Sequence, residues 1–372
     1  MKPILPRRVS RAQFLKIGAG LVGGSLGAYV LYELAPWLDG TTPATNIRRP
    51  LQPGLPGTPP MRELIRYATL AASGHNAQPW KFSIEDRLIR IQPDNARRLP
   101  AVDPEDRELW MSLGCALENL TIAAAAAGYE ADITYPEEND HVSVRLTPIG
   151  ARVGPLFDAI PNRQNTRSEY DGRTVSVSDI NQLLSIPGEN GIRLHLFEGH
   201  SKTEQLLEFV SLGDATQFAD KAFMEELIQW VRFDKREALA TMDGLSSLCM
   251  GSPQVPRWIG QRFLASMSPQ KQADSDANKL RSSAGAIAIS SETEDKPSWV
   301  RTGQVYQRLG LKLTSMNIKS AFLNQPNEVP TVRSQFRTAC GFGAALPQLL
   351  LRFGYANPMP SSYRRSVDQV MI

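Results

Sequence analysis

A short polar loop, residues 73–82, lies between a helical pattern and an alternating apolar run, and it limits what this chain can fold into and hold. Ser73, Asn76 and Gln78 supply hydrogen-bond donors and acceptors. The small residues let the backbone approach a ligand closely, and Pro79 restricts the residue before it. Such a loop suits a planar heterocycle with carbonyls and nitrogens at its edge. An ordinary polar turn is the competing interpretation.

Composition limits the function only broadly. The chain has 372 residues, of which 42% are hydrophobic and 21% charged, enough for one large domain or two smaller ones. Its net charge of +3 is too small to indicate a nucleic-acid partner. Cys115, Cys249 and Cys340 are too sparse for a disulfide framework, and the four histidines lack a zinc-binding HxxxH spacing. We therefore predict no metal site.

The first forty residues have the layout of an export signal or of a short membrane anchor. Arg7, Arg8 and Arg11 precede a glycine-rich stretch, 17–32, that carries no charge. Residues 10–16 resemble a twin-arginine signal in which an alanine replaces the second arginine. We expect the protein in the cell membrane or the periplasm, and the sequence leaves open whether the segment is cleaved.

Residues 18–23 match the GxGxxG pattern of dinucleotide-binding folds. That pattern needs a strand before it and a second strand that ends in an acidic residue. Basic residues precede this match, and Pro36 and Gly40 follow it, so we interpret it as part of the export segment. Residues 41–60 are rich in proline, glycine and threonine and predict a linker.

Local patterns divide the rest of the chain at about residue 150. In the first half, 61–150, helices and hairpin strands are predicted at 61–72, 80–93, 104–128, 131–135 and 142–146. In the second half, 151–372, helices are predicted at 156–160, 203–218, 299–317 and 329–338, strands at 192–197, 286–290, 320–323 and 348–355, a helical stretch within 225–252, and a polar loop at 274–283. Residues 104–136 and 297–326 share one order of helix, small residues, extended segment and proline, which indicates a divergent tandem repeat.

A second group of candidate ligand-binding residues is basic. Arg163 and Arg167 are four residues apart and share a face if they lie on a helical turn, with Asn165 between them. Two guanidinium groups and an amide make a good phosphate clamp. The alternative is a solvated basic face that binds nothing. Arg364 and Arg365 alone would be a surface pair.

The Ser-x-x-Asn-x-Gln-Pro-Trp pattern at 73–80 resembles the flavin-edge loop of the FMN-dependent nitroreductase family. This resemblance implies an α+β fold with mixed or antiparallel sheets flanked by helices. In that family an Arg-x-Ser/Thr-x-Arg element grips the flavin phosphate, and Arg163, Asn165 and Arg167 match it with Asn165 in the position of the hydroxyl residue. A late basic residue contacts the same phosphate, and Arg364 or Arg365 matches that position.

Family members are dimers whose flavins lie at the interface, held by the loop of one subunit and the basic groups of the other. Here the loop occurs in the first half and the clamp in the second. The chain therefore resembles the tandem, Acg-like subgroup of the family. This resemblance implies that the two halves form an internal pseudo-dimer that holds one flavin. Residues 322–326 match the segment that lines the flavin ring, and 225–265 resembles the lid of that subgroup. The implied FMN-binding residues are Ser73, Gly74, His75, Asn76, Gln78, Arg163, Asn165, Arg167, Leu323, Asn324, Arg364 and Arg365.

The resemblance implies two functions of different kinds. The first is an oxidoreductase that passes electrons from NAD(P)H or another donor to nitro compounds, quinones or similar acceptors. FMN would carry that chemistry, so no catalytic residue is expected from the polypeptide. The second is a non-catalytic protein whose closed lid sequesters the flavin.

Overall fold

The computed structural model describes residues 46–52, 54, 58–136 and 140–372. The export segment, the GxGxxG match and most of the predicted linker lie outside these residues. Of the described residues, one helix, Arg107–Ala126, is long and apolar enough to cross a membrane, and most of its surface is buried within the fold.

The first half forms one antiparallel sheet with a long helix against it. Its elements are α1 (Met61–Ala68), β1 (Trp80–Glu85), β2 (Leu88–Pro93), α2 (Arg107–Ala126), β3 (Tyr129–Thr134) and β4 (Val142–Pro148). The strands lie in the order β1-β2-β4-β3. Trp80 and Phe82 alternate inward on β1 and are fully buried, as the period of two predicted.

The second half contains a second sheet of the same kind. Its elements are α3 (Pro155–Ala159), α4 (Val177–Leu184), β5 (Ile192–Phe197), α5 (His200–Ala219), α6 (Lys221–Trp230), β6 (Val231–Arg232), α7 (Lys235–Thr241), β7 (Leu245–Ser246), α8 (Ser247–Met250), α9 (Arg257–Ala265), α10 (Pro269–Arg281), β8 (Gly285–Ser291), α11 (Lys296–Ser315), β9 (Lys319–Phe322), α12 (Gln325–Glu328), α13 (Pro330–Ala339), β10 (Leu346–Gly354) and α14 (Val367–Val370). The large sheet has the order β5-β8-β10-β9.

The two halves share one topology. In each, two strands precede a long helix and two follow it, and the second strand of the half pairs with the fourth. The predicted tandem repeat is therefore present, although the second half carries α5 to α10 as an insertion between its first two strands. The predicted α+β fold of two fused halves is confirmed.

The long helices α2 and α11 cross at the centre of the molecule, and glycines lie at the crossing. A methyl group on Gly114 would lie 2.0 Å from the carbonyl oxygen of Val300, and one on Gly303 would lie 1.9 Å from that of Met111. Each glycine thus meets the residue three positions before the other glycine. This reciprocal contact is what an isologous interface between two equivalent subunits requires, and here one chain supplies both sides.

One predicted loop is wrong. Residues 274–281 of that stretch belong to the helix α10, whose start is capped by Ser268, since its Oγ accepts a hydrogen bond from the Lys271 amide at 3.3 Å. Ala273, Asp276 and Leu280 form its narrow buried face. The rest of the helix faces solvent, so its composition is as polar as that of a loop.

The last residues of the chain return to the first half. After β10, the backbone of Met371 pairs with that of Phe82 on β1, and α14 packs against α1 and β1. This return places Tyr363, Arg364 and Arg365 beside the loop at 73–78. The first half is thus completed by a segment of the second.

Candidate functional site

The loop between α1 and β1 has an unusual backbone. His75, Asn76 and Gln78 have φ values of 47°, 54° and 54°, in the left-handed region that residues other than glycine rarely adopt. The Ser73 hydroxyl stabilises the turn by accepting a hydrogen bond from the Gln78 amide at 3.1 Å. Strained backbone of this kind concentrates at ligand sites, which favours a functional loop over an ordinary polar turn.

The lid (225–265) lies against this loop through paired hydrogen bonds. The Asn76 side-chain amide donates to the Gly244 carbonyl at 3.1 Å, and the Gly244 amide donates to the Asn76 carbonyl at 3.2 Å. The Gln78 side-chain amide donates to the Met242 carbonyl at 2.9 Å. In this closed arrangement the amides predicted to meet a flavin hold the lid instead.

The two late arginines lie in different surroundings. Arg364 is 3% exposed and donates to the Asn76 side-chain oxygen at 2.7 Å and to the Ala71 carbonyl at 3.1 Å. Arg365 lies 3.5 Å from the Asp94 carboxylate, and its backbone amide donates to the Gln78 side-chain oxygen at 2.8 Å. Arg364 is therefore the residue that faces the interior of the site, whereas Arg365 faces the Asp94 carboxylate, which Lys81 and Arg97 also approach.

The basic segment that follows α3 is extended, which corrects the prediction of a helical turn. Asn165 bridges to Ser320 on β9, and its side-chain oxygen accepts a hydrogen bond from the Tyr306 hydroxyl at 3.3 Å. In an extended chain alternate residues share a face, so Arg163, Asn165 and Arg167 still belong to one side. The three residues are therefore grouped by the two-residue repeat of an extended chain, and not by the four-residue spacing of a helical turn.

Arg48, Arg163, Arg167 and Arg364 come together as an arginine cluster. Burial, then the positive charge of Arg163, lowers the pKa of Arg48 to about 10. Burial, then Arg48 and Arg163, holds the pKa of Arg364 well below its ordinary value. Burial also lowers the pKa of Arg167. Because these like charges weaken one another, the cluster is a strongly positive site that favours an anion.

Unpaired hydrogen-bond donors in the arginine cluster also indicate that it binds an anion. Within the described part of the chain, Nε and Nη1 of Arg163 and Nε of Arg364 are buried without a hydrogen-bond partner. Arg163 is 4% exposed, so its unpaired nitrogens do not reach solvent at the protein surface. A buried donor left unpaired costs about 1–3 kcal/mol, and more when it is charged. A phosphate group, with its several acceptor oxygens, fits this set of donors.

Four titratable side chains around the loop are half-buried. His75, Glu108, Arg167 and Glu328 lie deep enough for burial to dominate their pKa values, yet each keeps part of its surface accessible. Burial, then the charge of Arg167, lowers the pKa of His75 to about 4, so His75 is neutral at pH 7.

Two of these half-buried groups are carboxyl groups that the sequence did not predict. Burial, then the neighbouring Glu328, raises the pKa of Glu108 well above its ordinary value. Asn324 donates a hydrogen bond to Glu108, and Gln217 donates to Glu328 at 2.6 Å. Asn324, one of the residues predicted to bind FMN, thus lies beside the loop through Glu108. Leu323 instead packs in the core and is 3% exposed.

Two further side chains of the site were missed by sequence reasoning. Arg48 lies in the stretch interpreted as a linker, and Cys249 faces the cluster from the lid. Burial raises the pKa of the Cys249 thiol, while Arg167 and then Arg364 lower it. No local pattern marks these residues, because only the tertiary fold brings them to the cluster.

The pseudo-symmetric counterpart of the loop is closed by an ion pair. Between α4 and β5, residues 185–191 occupy the position that 69–79 occupy between α1 and β1. Arg308 on α11 donates to Glu189 of this segment at 3.0 Å and to the two oxygens of Glu118 on α2 at 2.7 and 2.8 Å. These ion pairs hold the counterpart segment closed, whereas the loop at 73–78 lies beside the arginine cluster.

Among the described residues, no group of three or more His, Cys, Asp or Glu side chains is arranged to hold a metal ion. A cavity of about 480 Å³ lies beside the site, lined by Asp158, Gln164, Lys319 and Ser361 among others. Its lining contains none of the arginine cluster, and it includes Gln164, which alternates with Arg163 and Asn165 along the extended segment. It is therefore a separate feature of the second half.

Comparison with known proteins identifies relatives along most of the chain, although no family model matches it. A Mycobacterium tuberculosis protein named "Putative NAD(P)H nitroreductase Rv3131" is 26% identical over 346 residues, covering 90% of this chain and 96% of the relative. The protein named "Putative NAD(P)H nitroreductase acg", from the same organism, is 25% identical over 327 residues, covering 83% and 94%.

Solved structures give weaker matches. A nitroreductase with bound FMN from Bacteroides fragilis has a TM-score of 0.35 and 15% identity, covering 55% of this chain and 90% of that one. One from Desulfitobacterium hafniense, also with bound FMN, has a TM-score of 0.38 and 11% identity, covering 59% and 99%. The long match to the mycobacterial proteins confirms the predicted resemblance: the chain is similar to proteins named putative NAD(P)H nitroreductases, Acg among them.

Proposed function

We propose that this protein is an FMN-dependent oxidoreductase that takes electrons from NAD(P)H and reduces nitro compounds, quinones or similar acceptors. The observation that carries the proposal is the arginine cluster with its unpaired buried nitrogens, placed beside a strained amide-rich loop. The names of the mycobacterial relatives support the same activity and the same nucleotide donor.

The residues of the site have distinct roles in this proposal. Arg163, Arg167 and Arg364 hold the flavin phosphate, and the loop 73–78 borders the ring. When bound, FMN supplies the hydride and electron transfer. The chain's own contribution is to orient the cofactor, to supply a positive field, and to exclude water by means of the lid.

The closed lid favours a second candidate function, sequestration of the flavin without turnover. Asn76 and Gln78 are both bound by lid carbonyls, and Asp243 ties the lid to the first half through an ion pair with Arg97 at 2.8 Å. Arg232 within the lid holds the same carboxylate at 2.7 Å. A lid fixed in this way blocks a second substrate unless it opens during the reaction cycle.

We expect protein lacking residues 1–40 to purify yellow, with one FMN per chain, because one loop and one cluster are present. Anaerobic addition of NADH or NADPH should bleach the flavin, and a nitroaromatic acceptor should restore the colour with steady consumption of the nucleotide. Bound FMN that neither nucleotide reduces would favour sequestration. A colourless protein that takes up no added FMN would contradict both functions.

We also propose that the folded part lies outside the cytoplasm, held at the membrane or released into the periplasm. The support is the order of Arg7, Arg8 and Arg11 before the uncharged stretch 17–32. Cell fractionation should place the full-length chain with the membrane or the periplasmic fraction. A chain recovered in the cytosol at full length would overturn this proposal, and Arg11→Lys tests the twin-arginine route specifically.

A further inference from the structure

A strap formed by residues 46–52 brings Arg48 into the arginine cluster. Its backbone is fixed to α1, because Arg66 donates to the Ile47 carbonyl and, at 3.2 Å, to the Pro50 carbonyl. An ion pair between Arg49 and Glu63 holds the strap to the same helix. The strap is therefore a packed part of the folded body, although its composition predicted a linker.

The Arg48 guanidinium joins the two segments that carry the other cluster residues. It donates to the carbonyl of Pro161, two residues before Arg163, and to that of Ser362, two residues before Arg364, at 3.4 Å. The strap thus contacts both the segment that carries Arg163 and the C-terminal segment that carries Arg364. Both contacts are to neutral carbonyls, so they leave the charge of Arg48 uncompensated.

The position of Arg48 is costly for the protein alone. Its charge lies beside Arg163 and Arg364, and the groups that perturb its pKa are burial, Arg163 and the Cys249 thiol. A side chain that served only to tie two segments together would do so better without a charge, since burial of like charges is destabilising. An anion bound between the arginines removes the repulsion and turns it into attraction.

We propose that Arg48 is a further phosphate-binding residue, and that the strap closes over the phosphate of the cofactor. The proposal rests on the proposed function, because the phosphate is that of FMN. Binding of FMN would fix the strap through Arg48, and release of FMN would require the strap to lift.

Flavin affinity tests the first part of this proposal. Arg48→Ala in the full-length protein should weaken FMN binding roughly tenfold to a hundredfold, as expected for a lost hydrogen bond to a charged group worth about 1.5–3 kcal/mol. Arg48→Gln keeps a donor for the Pro161 carbonyl but removes the charge, and should lose nearly as much. Arg48→Lys should lose least. The matched control is Arg62→Ala, which removes an exposed arginine paired with Asp368 and should leave the affinity unchanged.

Hydrogen exchange tests the second part without reference to activity. FMN should slow amide exchange in residues 46–52 of the wild-type chain, and inorganic phosphate should do so more weakly. In Arg48→Gln neither ligand should slow it. Unchanged FMN affinity in Arg48→Gln, with strap exchange that FMN does not alter, would overturn the strap proposal while leaving the FMN function intact. Failure of the wild-type chain to bind FMN would instead refute the proposed function and the strap proposal with it.

Discussion

Gly303→Ala is expected to lower the free energy of unfolding by about 3 kcal/mol or more. The added methyl group would lie 1.9 Å from the Met111 carbonyl oxygen and 3.0 Å from the Cys115 amide nitrogen. Both are backbone atoms of α2, so no side chain can rotate away to make room. The helices must separate at the centre of the pseudo-dimer, where a displacement opens the core on both sides. Urea-induced unfolding followed by circular dichroism measures the loss.

The matched control lies on the same helix. A methyl group on Gly310 would meet the Arg163 Cδ atom at 3.6 Å, an ordinary van der Waals contact. Gly310→Ala should therefore gain up to about 1 kcal/mol from helix propensity alone. The same substitution seven residues apart thus changes sign. Equal effects of the two substitutions would contradict the close contact of α2 and α11.

The local elements of this fold were largely predictable from the sequence. The hairpin of β1 and β2 follows an alternating pattern that one polar turn interrupts, and α2 and α11 carry apolar residues at helical spacing. Such patterns act within a few residues, so they are visible in the sequence. The tandem repeat was predictable for the same reason, because both halves contain a helix, small residues, an extended segment and a proline in the same order.

Features that depend on contacts distant in sequence were missed. Helix α10 was predicted as a loop because its buried face is narrow, and the basic segment 163–167 was assigned a helical period although it lies extended beside β9. Arg48 lies more than a hundred residues from Arg163, and nothing near it in sequence indicates a partner. Only the packing of the strap on α1 supplies that information.

The loop at 73–78 shows the same limit within the site. Its residue types predicted a ligand, and its left-handed backbone supports that prediction. The sequence did not predict that lid carbonyls and the C-terminal return would occupy the side chains of Asn76 and Gln78. An amide has the same hydrogen-bonding groups for a flavin and for a carbonyl of the protein, so its chemistry cannot distinguish the two.

The ion pair at the pseudo-symmetric position gives the second large prediction. Arg308→Met should lower the free energy of unfolding at pH 7 by about 3–5 kcal/mol, because Glu118 would remain buried without its cation. Glu118 is 3% exposed, and burial already raises its pKa although Arg308 opposes this shift. Methionine keeps most of the side-chain volume, so the decrease in the free energy of unfolding measures the effect of removing the charge. Chemical denaturation at several pH values measures it.

The pH dependence and a double variant separate this explanation from a simple packing defect. Without Arg308 the folded-state pKa of Glu118 should rise further. The unfolded-state pKa is the same in both proteins, so the deficit should be small below the folded-state pKa of Glu118 in the wild-type chain, which burial already raises, and should grow as the pH rises from that pKa towards the higher pKa of the variant. Arg308→Met combined with Glu118→Leu removes both charges and should recover most of the stability at pH 7, since an apolar pair can replace a buried ion pair. A double variant as unstable as Arg308→Met, with no dependence on pH, would show that the guanidinium acts there through packing, and the closure of the second site by charge would then be wrong.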